Sequence, residues 1–251
     1  MIAPGVFVIR SDFALTNTTV VAGHGGDCLL IDPGVTVAEL EFLALFLAGQ
    51  GLHPAVVWST HPHWDHVLWH SVLGTDVPRY AAPAAVAITE TERDGMVEGV
   101  QQSAPGHDLE LFGRVTPLKA DAIPWNGPAA QLFVHDGHAP GHGAVLLPDT
   151  GVLIAGDMCS DVEIPLLDTE ADDPMGDYRA GLALLAAVPD VRHVVPGHGH
   201  AGDTREFRRR LDADAVYLER LERGEPFDDH RITKDWMRAS HEAQALYLRT
   251  A

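Results

Sequence analysis

The sequence predicts a layered α/β fold in which sheets and helices share a hydrophobic core. Short apolar runs with strand character alternate along the chain with longer segments of helical spacing, and two strand pairs are joined by turn signals. Of the 251 residues, 46% are hydrophobic and 21% are charged, which is the balance of an ordinary globular protein. The chain is therefore long enough to bury a sizeable core without disulfides, and its two cysteines cannot form a disulfide framework.

Eight runs rich in apolar and β-branched residues predict β-strands. They are residues 6–9, 18–22, 28–31, 55–58, 131–135, 144–147, 152–155 and 193–195. The segment His24-Gly25-Gly26 is a hairpin-type turn signal between the second and third strands. Pro148-Asp149-Thr150-Gly151 is a turn sequence between the sixth and seventh strands. Both pairs are therefore expected to be hairpins.

Five segments are expected to be α-helices. They are residues 37–48, 83–102, 175–188 and two segments that close the chain. Gly49 and Gly51 end the first helix. The first closing helix has one apolar face, made of Phe207, Leu211, Leu218 and Leu221. The second closing helix spans roughly residues 233–249.

The net charge of −19 argues against some classes of partner. Nucleic-acid binding rests on Lys and Arg, and a chain this acidic, with two lysines, repels a phosphate backbone. The first ten residues lack the basic start and long apolar core of a secretory signal, and no apolar stretch approaches the length of a membrane span. We therefore expect a cytoplasmic protein with neither a nucleic-acid nor a membrane partner.

A dense group of metal-binding side chains follows the predicted strand 55–58. The segment is His61-Pro62-His63-Trp64-Asp65-His66, and four of its six positions carry groups that bind zinc. His61 and His63 stand two apart in extended chain, so their side chains point the same way and can share one ion. Asp65 and His66 then reach a neighbouring ion.

Three later residues extend this pattern. His142 lies just ahead of a predicted strand, Asp157 ends the apolar run at 152–155, and His198 follows the strand at 193–195. Functional groups gather where the loops of an α/β scaffold converge, so we expect these side chains to meet the histidine-rich segment.

The order of these residues resembles the five signature motifs of the metallo-β-lactamase superfamily, over residues 32–198. The motifs are Asp32, His61-x-His63-x-Asp65-His66, His142, Asp157 and His198. The resemblance implies an αββα four-layer sandwich, with metals at the edge of the two central sheets. It also implies a catalytic domain over residues 1–204 and a C-terminal helical extension, residues 205–251, packed on it.

The resemblance further implies a dinuclear zinc site, with iron or manganese as possible occupants. His61, His63 and His142 would hold one ion, and Asp65, His66 and His198 the other. Asp157 would bridge both, and Asp32 would orient the histidine segment from behind. Two such ions lower the pKa of a shared water and make hydroxide available at pH 7, and Asp65 would orient this hydroxide and assist proton transfer.

The expected reaction is hydrolysis of a small ester, thioester or lactone. With a carboxylate at the bridging position 157, the chain resembles the thioesterases, lactonases and phosphodiesterases of this superfamily. The β-lactamases of the superfamily usually have a cysteine or serine at that position. Phosphodiester or β-lactam hydrolysis, and iron-dependent oxidation of a thiol or sulfur compound, remain as alternatives. Residues 158–167 lack the cysteine- and glycine-rich stretch of glyoxalase II, which makes glutathione a doubtful carrier.

We expect Trp64, Trp69 and the segments 88–112 and 158–174 to wall the pocket.

Overall fold

Two β-sheets pack face to face in the computed structural model, which describes residues 1–226 and 228–250. The first sheet has six strands in chain order: β1 (Val6–Arg10), β2 (Asn17–Ala22), β3 (Asp27–Ile31), β4 (His53–Trp58), β5 (Arg79–Ala81) and β6 (Thr116–Pro117). The second sheet has five strands in reverse order: β11 (Gly202–Asp203), β10 (His193–Pro196), β9 (Val152–Gly156), β8 (His142–Leu147) and β7 (Gln131–His135).

Six α-helices occur within the described residues. They are α1 (Val37–Gly49), α2 (Pro83–Thr91), α3 (Arg93–Ser103), α4 (Pro174–Ala186), α5 (Thr204–Arg223) and α6 (Asp235–Thr250). The N-terminus of α1 is fixed by a capping box, in which Thr36 and Glu39 satisfy each other's backbone N–H groups. None of these described helices combines the length and apolarity needed to cross a membrane.

The alternation of side chains along the strands produces the layers. In β3, Leu29 and Ile31 enter the core between the two sheets, whereas Cys28 and Leu30 pack against α1 on the outer face. The outer face of the second sheet is covered by helices, and residues such as Leu153 pack there with side chains of α4, α5 and α6. The fold is therefore the αββα sandwich that the sequence predicted.

Strand directions bring distant segments to one edge of the sandwich. β3 and β4 are parallel, so the residues that follow both strands emerge at the same edge of the first sheet. β9 and β10 are also parallel, and β8 runs antiparallel to β9, so the start of β8 lies beside the ends of β9 and β10. Hydrogen bonds of 2.7 Å from Asn17 N to Gly197 O and from Gly143 N to Thr60 O join the two sheets at this edge.

The structure departs from the predicted elements in a few places. The helix predicted over residues 83–102 is two helices, α2 and α3, which meet at Glu92. The strands β5, β6 and β11 were not predicted, because runs of two or three residues are too short to show a period. The predicted division at residue 204 stays a prediction, although α5 and α6 do pack on the second sheet.

The contact between Gly143 and Trp58 gives a test of packing between the sheets. Trp58 donates its indole N–H to Gly143 O at 2.8 Å, and a Cβ added at Gly143 would lie 2.5 Å from the Trp58 ring. We expect Gly143→Ala to lower the free energy of unfolding by about 1–3 kcal/mol, measured by urea denaturation.

Gly49→Ala is the matched control, because an added Cβ there meets nothing within 4 Å and the residue is exposed at the end of α1. We expect it to change the stability by less than about 1 kcal/mol. Equal losses in the two variants would contradict the packing argument.

Candidate metal centre

Seven side chains with metal-binding atoms form two adjacent clusters at the joined edge of the sheets. In each cluster the candidate ligand atoms lie within 4.8 Å of one another. The first cluster contains His61, His63, His138 and Asp157; the second contains Asp65, His66 and His198. The structure thus brings together six of the seven residues predicted as ligands and adds His138.

In the first cluster, three imidazole nitrogens face one another. His63 Nδ1 lies 3.0 Å from His61 Nε2 and 3.1 Å from His138 Nε2. Asp157 Oδ2 completes the group, at 3.4 Å from His61 Nε2 and 3.5 Å from His138 Nε2. Since the separation between these atoms is small, one ion placed among them would be within reach of all four.

The second cluster lies on the other side of Asp157. His198 Nε2 is 3.4 Å from His66 Nε2 and 3.3 Å from Asp65 Oδ2. Asp157 Oδ1 lies 3.3 Å from His66 Nε2, and Asp157 Oδ2 lies 3.3 Å from His198 Nε2. One carboxylate therefore contacts both clusters, as the predicted bridge requires.

The partners of Asp32 explain the orientation of His61. Asp32 accepts hydrogen bonds from Thr60 N at 2.8 Å and from Thr60 Oγ1 at 2.7 Å. Because the Thr60 hydroxyl proton goes to Asp32, the bond of 2.9 Å between Thr60 Oγ1 and His61 Nδ1 must use the imidazole proton. His61 therefore has its proton on Nδ1 and presents a lone pair from Nε2 to the cluster.

Three other histidines are held in the same way, with one nitrogen against an oxygen and the other facing inward. His66 Nδ1 lies 3.0 Å from Asp32 Oδ2, so Asp32 supports both ends of the histidine segment. His138 Nδ1 lies 3.1 Å from Leu166 O, and His198 Nδ1 lies 3.1 Å from Ala14 O. Such outer partners are typical of imidazoles that bind metals, because they fix the tautomer and the ring orientation.

This arrangement fits a cation and is poorly satisfied without one. The inward nitrogens of His61 and His138 are both acceptors, and His63 Nδ1, which lies 3.0 and 3.1 Å from them, has at most one proton to donate. Asp157 Oδ1 is buried without a hydrogen-bond partner. The donor set of imidazole nitrogens and carboxylate oxygens is the one that zinc and related divalent metals prefer.

Two histidines of the first cluster have the protonation state that binds a metal at neutral pH. Burial lowers the pKa of His61 well below its ordinary value, and burial together with the neighbouring His63 lowers the pKa of His138 to about 3. Both rings are therefore neutral at pH 7, and a neutral imidazole is the form that binds metals.

Around the second cluster, the pKa of a histidine is raised and the pKa of an aspartate is lowered, so that both groups are charged. Burial alone would lower the pKa of His66, but the carboxylates of Asp157, Asp65 and Asp32 raise it to about 9. Burial would raise the pKa of Asp157, but the neighbouring histidines, His198 first, hold it well below the ordinary value. A divalent ion would replace the imidazolium proton as the positive charge beside these carboxylates.

His142 does not belong to the first cluster, and the assignment made from the sequence is corrected to His138. His142 Nε2 accepts the backbone N–H of Asp157 at 3.1 Å, and its ring stacks between His135 and His61, with centroid distances of 4.6 and 5.2 Å. Both histidines follow a glycine in Gly-His-Ala-Pro-Gly-His, so sequence spacing alone did not separate them. His142 is already inside β8, whereas His138 lies in the preceding loop at a φ of 74°.

Glu163 is a further buried acid beside the second cluster that the sequence did not indicate. Its Oε1 lies 4.0 Å from His198 Nδ1, and the residue forms a third possible metal-binding group with Asp157 and His198. Ser160 Oγ accepts the backbone N–H of Glu163 at 3.0 Å and so fixes its position. Burial raises the pKa of Glu163 to about 7.

A cleft of about 1150 Å³ opens onto both clusters. Trp64 and residues 166–171 line it, as expected, but of the segment 88–112 only Ile88 and Glu92 do so. Trp69, also predicted as a wall residue, is buried in the core and donates its indole N–H to Gly74 O at 2.7 Å. Phe13 and Trp236 line the cleft without having been predicted.

Arg210 in α5 holds together the two loops that carry Asp157 and His198. The residue is only 3% exposed, although the basic segment around it is typical of a solvated helix face. Its Nη1 donates to His200 O at 2.8 Å and to Cys159 O at 3.3 Å. Asp161 strengthens the same junction by accepting the backbone N–H of His200 at 2.8 Å.

Comparison with known proteins shows the family to which the chain belongs. A family model described as the metallo-beta-lactamase superfamily matches residues 12–218. The chain is 27% identical over 214 residues to a hydroxyacylglutathione hydrolase of Anaeromyxobacter dehalogenans, covering 82% of this chain and 71% of the relative. It is 24% identical over 185 residues to a probable metallo-hydrolase of Bacillus subtilis, covering 70% of this chain and 82% of the relative.

Solved structures share the architecture. A metallo-beta-lactamase family protein of Thermus thermophilus has a TM-score of 0.71 and 20% identity, covering 100% of this chain and 95% of that protein. At this identity the likeness concerns the fold alone. A protein crystallised in a di-iron-bound form has a TM-score of 0.62 and 27% identity, covering 81% of this chain and 98% of that protein.

The role of Arg210 can be tested by Arg210→Met, which keeps much of the side-chain volume and removes the donors. We expect a loss of about 2–4 kcal/mol in the free energy of unfolding, because the carbonyls of Cys159 and His200 lose their charged donor. Urea denaturation of the metal-depleted protein measures this loss without a contribution from bound metal.

Arg209→Met is the control, because Arg209 is exposed on the same helix and pairs with Glu206, three residues earlier in the helix. Exposed pairs of this kind contribute less than about 1 kcal/mol. If the Arg209 variant lost as much stability as the Arg210 variant, the loop-joining role would be refuted.

Proposed function

The chain belongs to the metallo-beta-lactamase superfamily and is a metal-dependent hydrolase, and we propose that it uses two zinc ions to cleave a small ester, thioester or lactone. The observation that carries this proposal is the contact of Asp157 with both clusters. Its oxygens lie 3.4 Å from His61 Nε2 on one side and 3.3 Å from His66 Nε2 on the other. A carboxylate in this position suits two neighbouring cations.

His61, His63 and His138 would hold the first ion, and Asp65, His66 and His198 the second. Zinc is proposed because imidazole and carboxylate ligands suit it. Iron or manganese would fit the same donors, and the similar protein crystallised in a di-iron-bound form supports iron as an occupant of such a site. When bound, such ions supply an activated water nucleophile at neutral pH and an electrophile for the carbonyl oxygen.

Asp65 is the residue proposed to handle protons. It lines the cleft, and its Oδ2 lies 3.3 Å from His198 Nε2, so this member of the second cluster also borders the space open to a substrate. Burial would raise the pKa of Asp65, but His66 and His198 lower it, so the group is a carboxylate at pH 7. A carboxylate there accepts the proton of the attacking water and returns it to the leaving group.

The choice of substrate class rests on the cleft and the relatives. Several hydrolases among the relatives are named hydroxyacylglutathione hydrolase, which supports a thioester or a related acyl substrate. Apolar walls such as Leu166 and Leu167 suit the acyl part of a small molecule. The net charge of −19 supports a small-molecule substrate rather than a nucleic acid.

The experiment is a substrate panel run on protein loaded with zinc, iron or manganese, and on the same protein after chelation. We expect at least one ester, thioester or lactone to be hydrolysed, and chelation to lower the rate at least about a hundredfold. Turnover restricted to phosphodiesters or β-lactams, or oxidation of a thiol by the iron form, would overturn the proposal.

The same experiment includes a pair of histidine variants. His138→Ala should lose about one ion per chain, measured by metal analysis, and most of its activity, because a ring nitrogen that faces the first cluster is removed. His142→Ala should keep both ions, because His142 belongs to neither cluster and its Nε2 accepts the backbone N–H of Asp157. Metal loss in the His142 variant alone would reverse the assignment.

A further inference from the structure

The mouth of the cleft is acidic. Glu92, Asp168 and Glu170 line it, and the described residues that line the cleft include neither Lys nor Arg. The chain as a whole carries a net charge of −19, so its long-range field is also negative. A substrate therefore approaches the metal clusters through a field that attracts cations and repels anions.

The basic residues nearest in sequence to the lining are engaged elsewhere or lie outside it. Arg93, next to Glu92, donates to Leu109 O and lies over the ring of Phe112 with 5.9 Å to the centroid, and it lines a different pocket. Lys234 and Arg238 flank Trp236 in the sequence but do not line the cleft. The carboxylates of the mouth are thus left without a lysine or arginine partner inside the cleft.

Aromatic side chains line the same cleft as these carboxylates. Phe13 and Trp64 form an edge-on pair, with ring centroids 5.5 Å apart, and both line the cleft. Trp236, at the start of α6, lines it as well and is 43% exposed. Exposed aromatic faces beside carboxylates are the environment in which organic ammonium groups bind.

The inner acids serve a different purpose from those at the mouth. Asp65 and Asp157 face the clusters, and Glu163 lies beside them, so bound divalent ions would balance these three carboxylates. Asp157 lines the cleft, and its Oδ1 is buried without a hydrogen-bond partner. Glu92, Asp168 and Glu170 lie outside both clusters and remain for the substrate.

We propose that the cleft selects acyl substrates whose leaving group carries a positive charge, such as an ammonium group, and disfavours anionic carriers. This inference rests on the proposed hydrolase function and adds the substrate class. The acyl chain would lie against the apolar side chains Ile88, Leu166 and Leu167, and the ammonium group would lie among the aromatic rings and carboxylates of the mouth. Free glutathione, with two carboxylates and one ammonium group, is on the disfavoured side.

Three butyryl thioesters that differ in the charge of the thiol test this inference. The thiols are thiocholine, its uncharged carbon analogue 3,3-dimethylbutanethiol, and 2-mercaptoethanesulfonate. We expect kcat/KM of the metal-loaded protein to decrease in that order, with about a tenfold difference between the cation and the anion at low salt. The difference should shrink in about 0.5 M salt, because exposed charges are screened.

A variant in which the three acids of the mouth are neutral tests directly whether these residues cause the charge selection. The triple variant Glu92→Gln, Asp168→Asn, Glu170→Gln should lose the preference for the cation, so that the ratio of kcat/KM between the cationic and the anionic thioester falls to about one. The matched control is Glu41→Gln, Glu98→Gln, Asp212→Asn, which removes the same charge from exposed positions outside the cleft. This control should keep the preference, and its loss there would assign the effect to net charge alone.

The outcomes separate this inference from the proposed function. Hydrolysis of all three thioesters with equal or greater kcat/KM for the anion would overturn the charge selection and leave the hydrolase function intact. Absence of turnover with every thioester, ester and lactone would remove the proposed function. Titration calorimetry with the three matching thioethers, which cannot be hydrolysed, then decides the selection by itself: tightest binding of the cation supports it, and equal or tighter binding of the anion refutes it.

Discussion

The carboxylate of Asp157 is the group on which the rest of the site depends. Its side chain is 6% exposed, and ring nitrogens of His61, His66, His138 and His198 lie within 3.5 Å of its oxygens. A buried charge is stable only when it is paired, so these histidines must be held around it even before a metal binds. The parallel pairing of β9 and β10 brings the loops together, and Gly197 leaves room, since an added Cβ would lie 1.8 Å from Asp157 Oδ1.

Each layer of the sandwich contributes to this constraint. The first sheet supplies Asp32 and the histidine segment. The hydrogen bonds of Asp32 with Thr60 fix the Thr60 hydroxyl, which in turn fixes the tautomer and the ring orientation of His61. The second sheet supplies Asp157 and His198 at the ends of neighbouring strands. On its outer face, Arg210 of α5 joins the loops that follow those strands. Removing a helix would therefore disturb the site, although no helix in the described chain supplies a ligand of either cluster.

What the sequence could predict depended on how local each signal is. The segment from His61 to His66 was predictable because its ligands are almost contiguous, and Asp157 because an apolar strand leads directly to it. The choice between His138 and His142 was not, since it depends on where β8 begins and which ring meets the backbone of Asp157. Trp236 joins the cleft through the packing of α6, a contact between residues far apart in sequence, and no periodic pattern reports such contacts.

The acidic residues of the cleft form two groups, one facing the metal clusters and one at the mouth, and this separation links the fold to substrate choice. Acids that face the clusters are neutralised by histidines now and by cations once metal is bound, so they contribute little to the field that a substrate meets. Acids at the mouth have no such partner inside the cleft, and their field extends about one Debye length, or roughly 8 Å in physiological salt. In the proposed reaction, the leaving group would lie among the acids at the mouth, while the acyl carbon would reach the clusters. The reacting carbonyl and the departing group would then meet opposite potentials, and under the proposed selection a few exposed side chains would set the substrate preference of a fold whose metal-binding residues are shared.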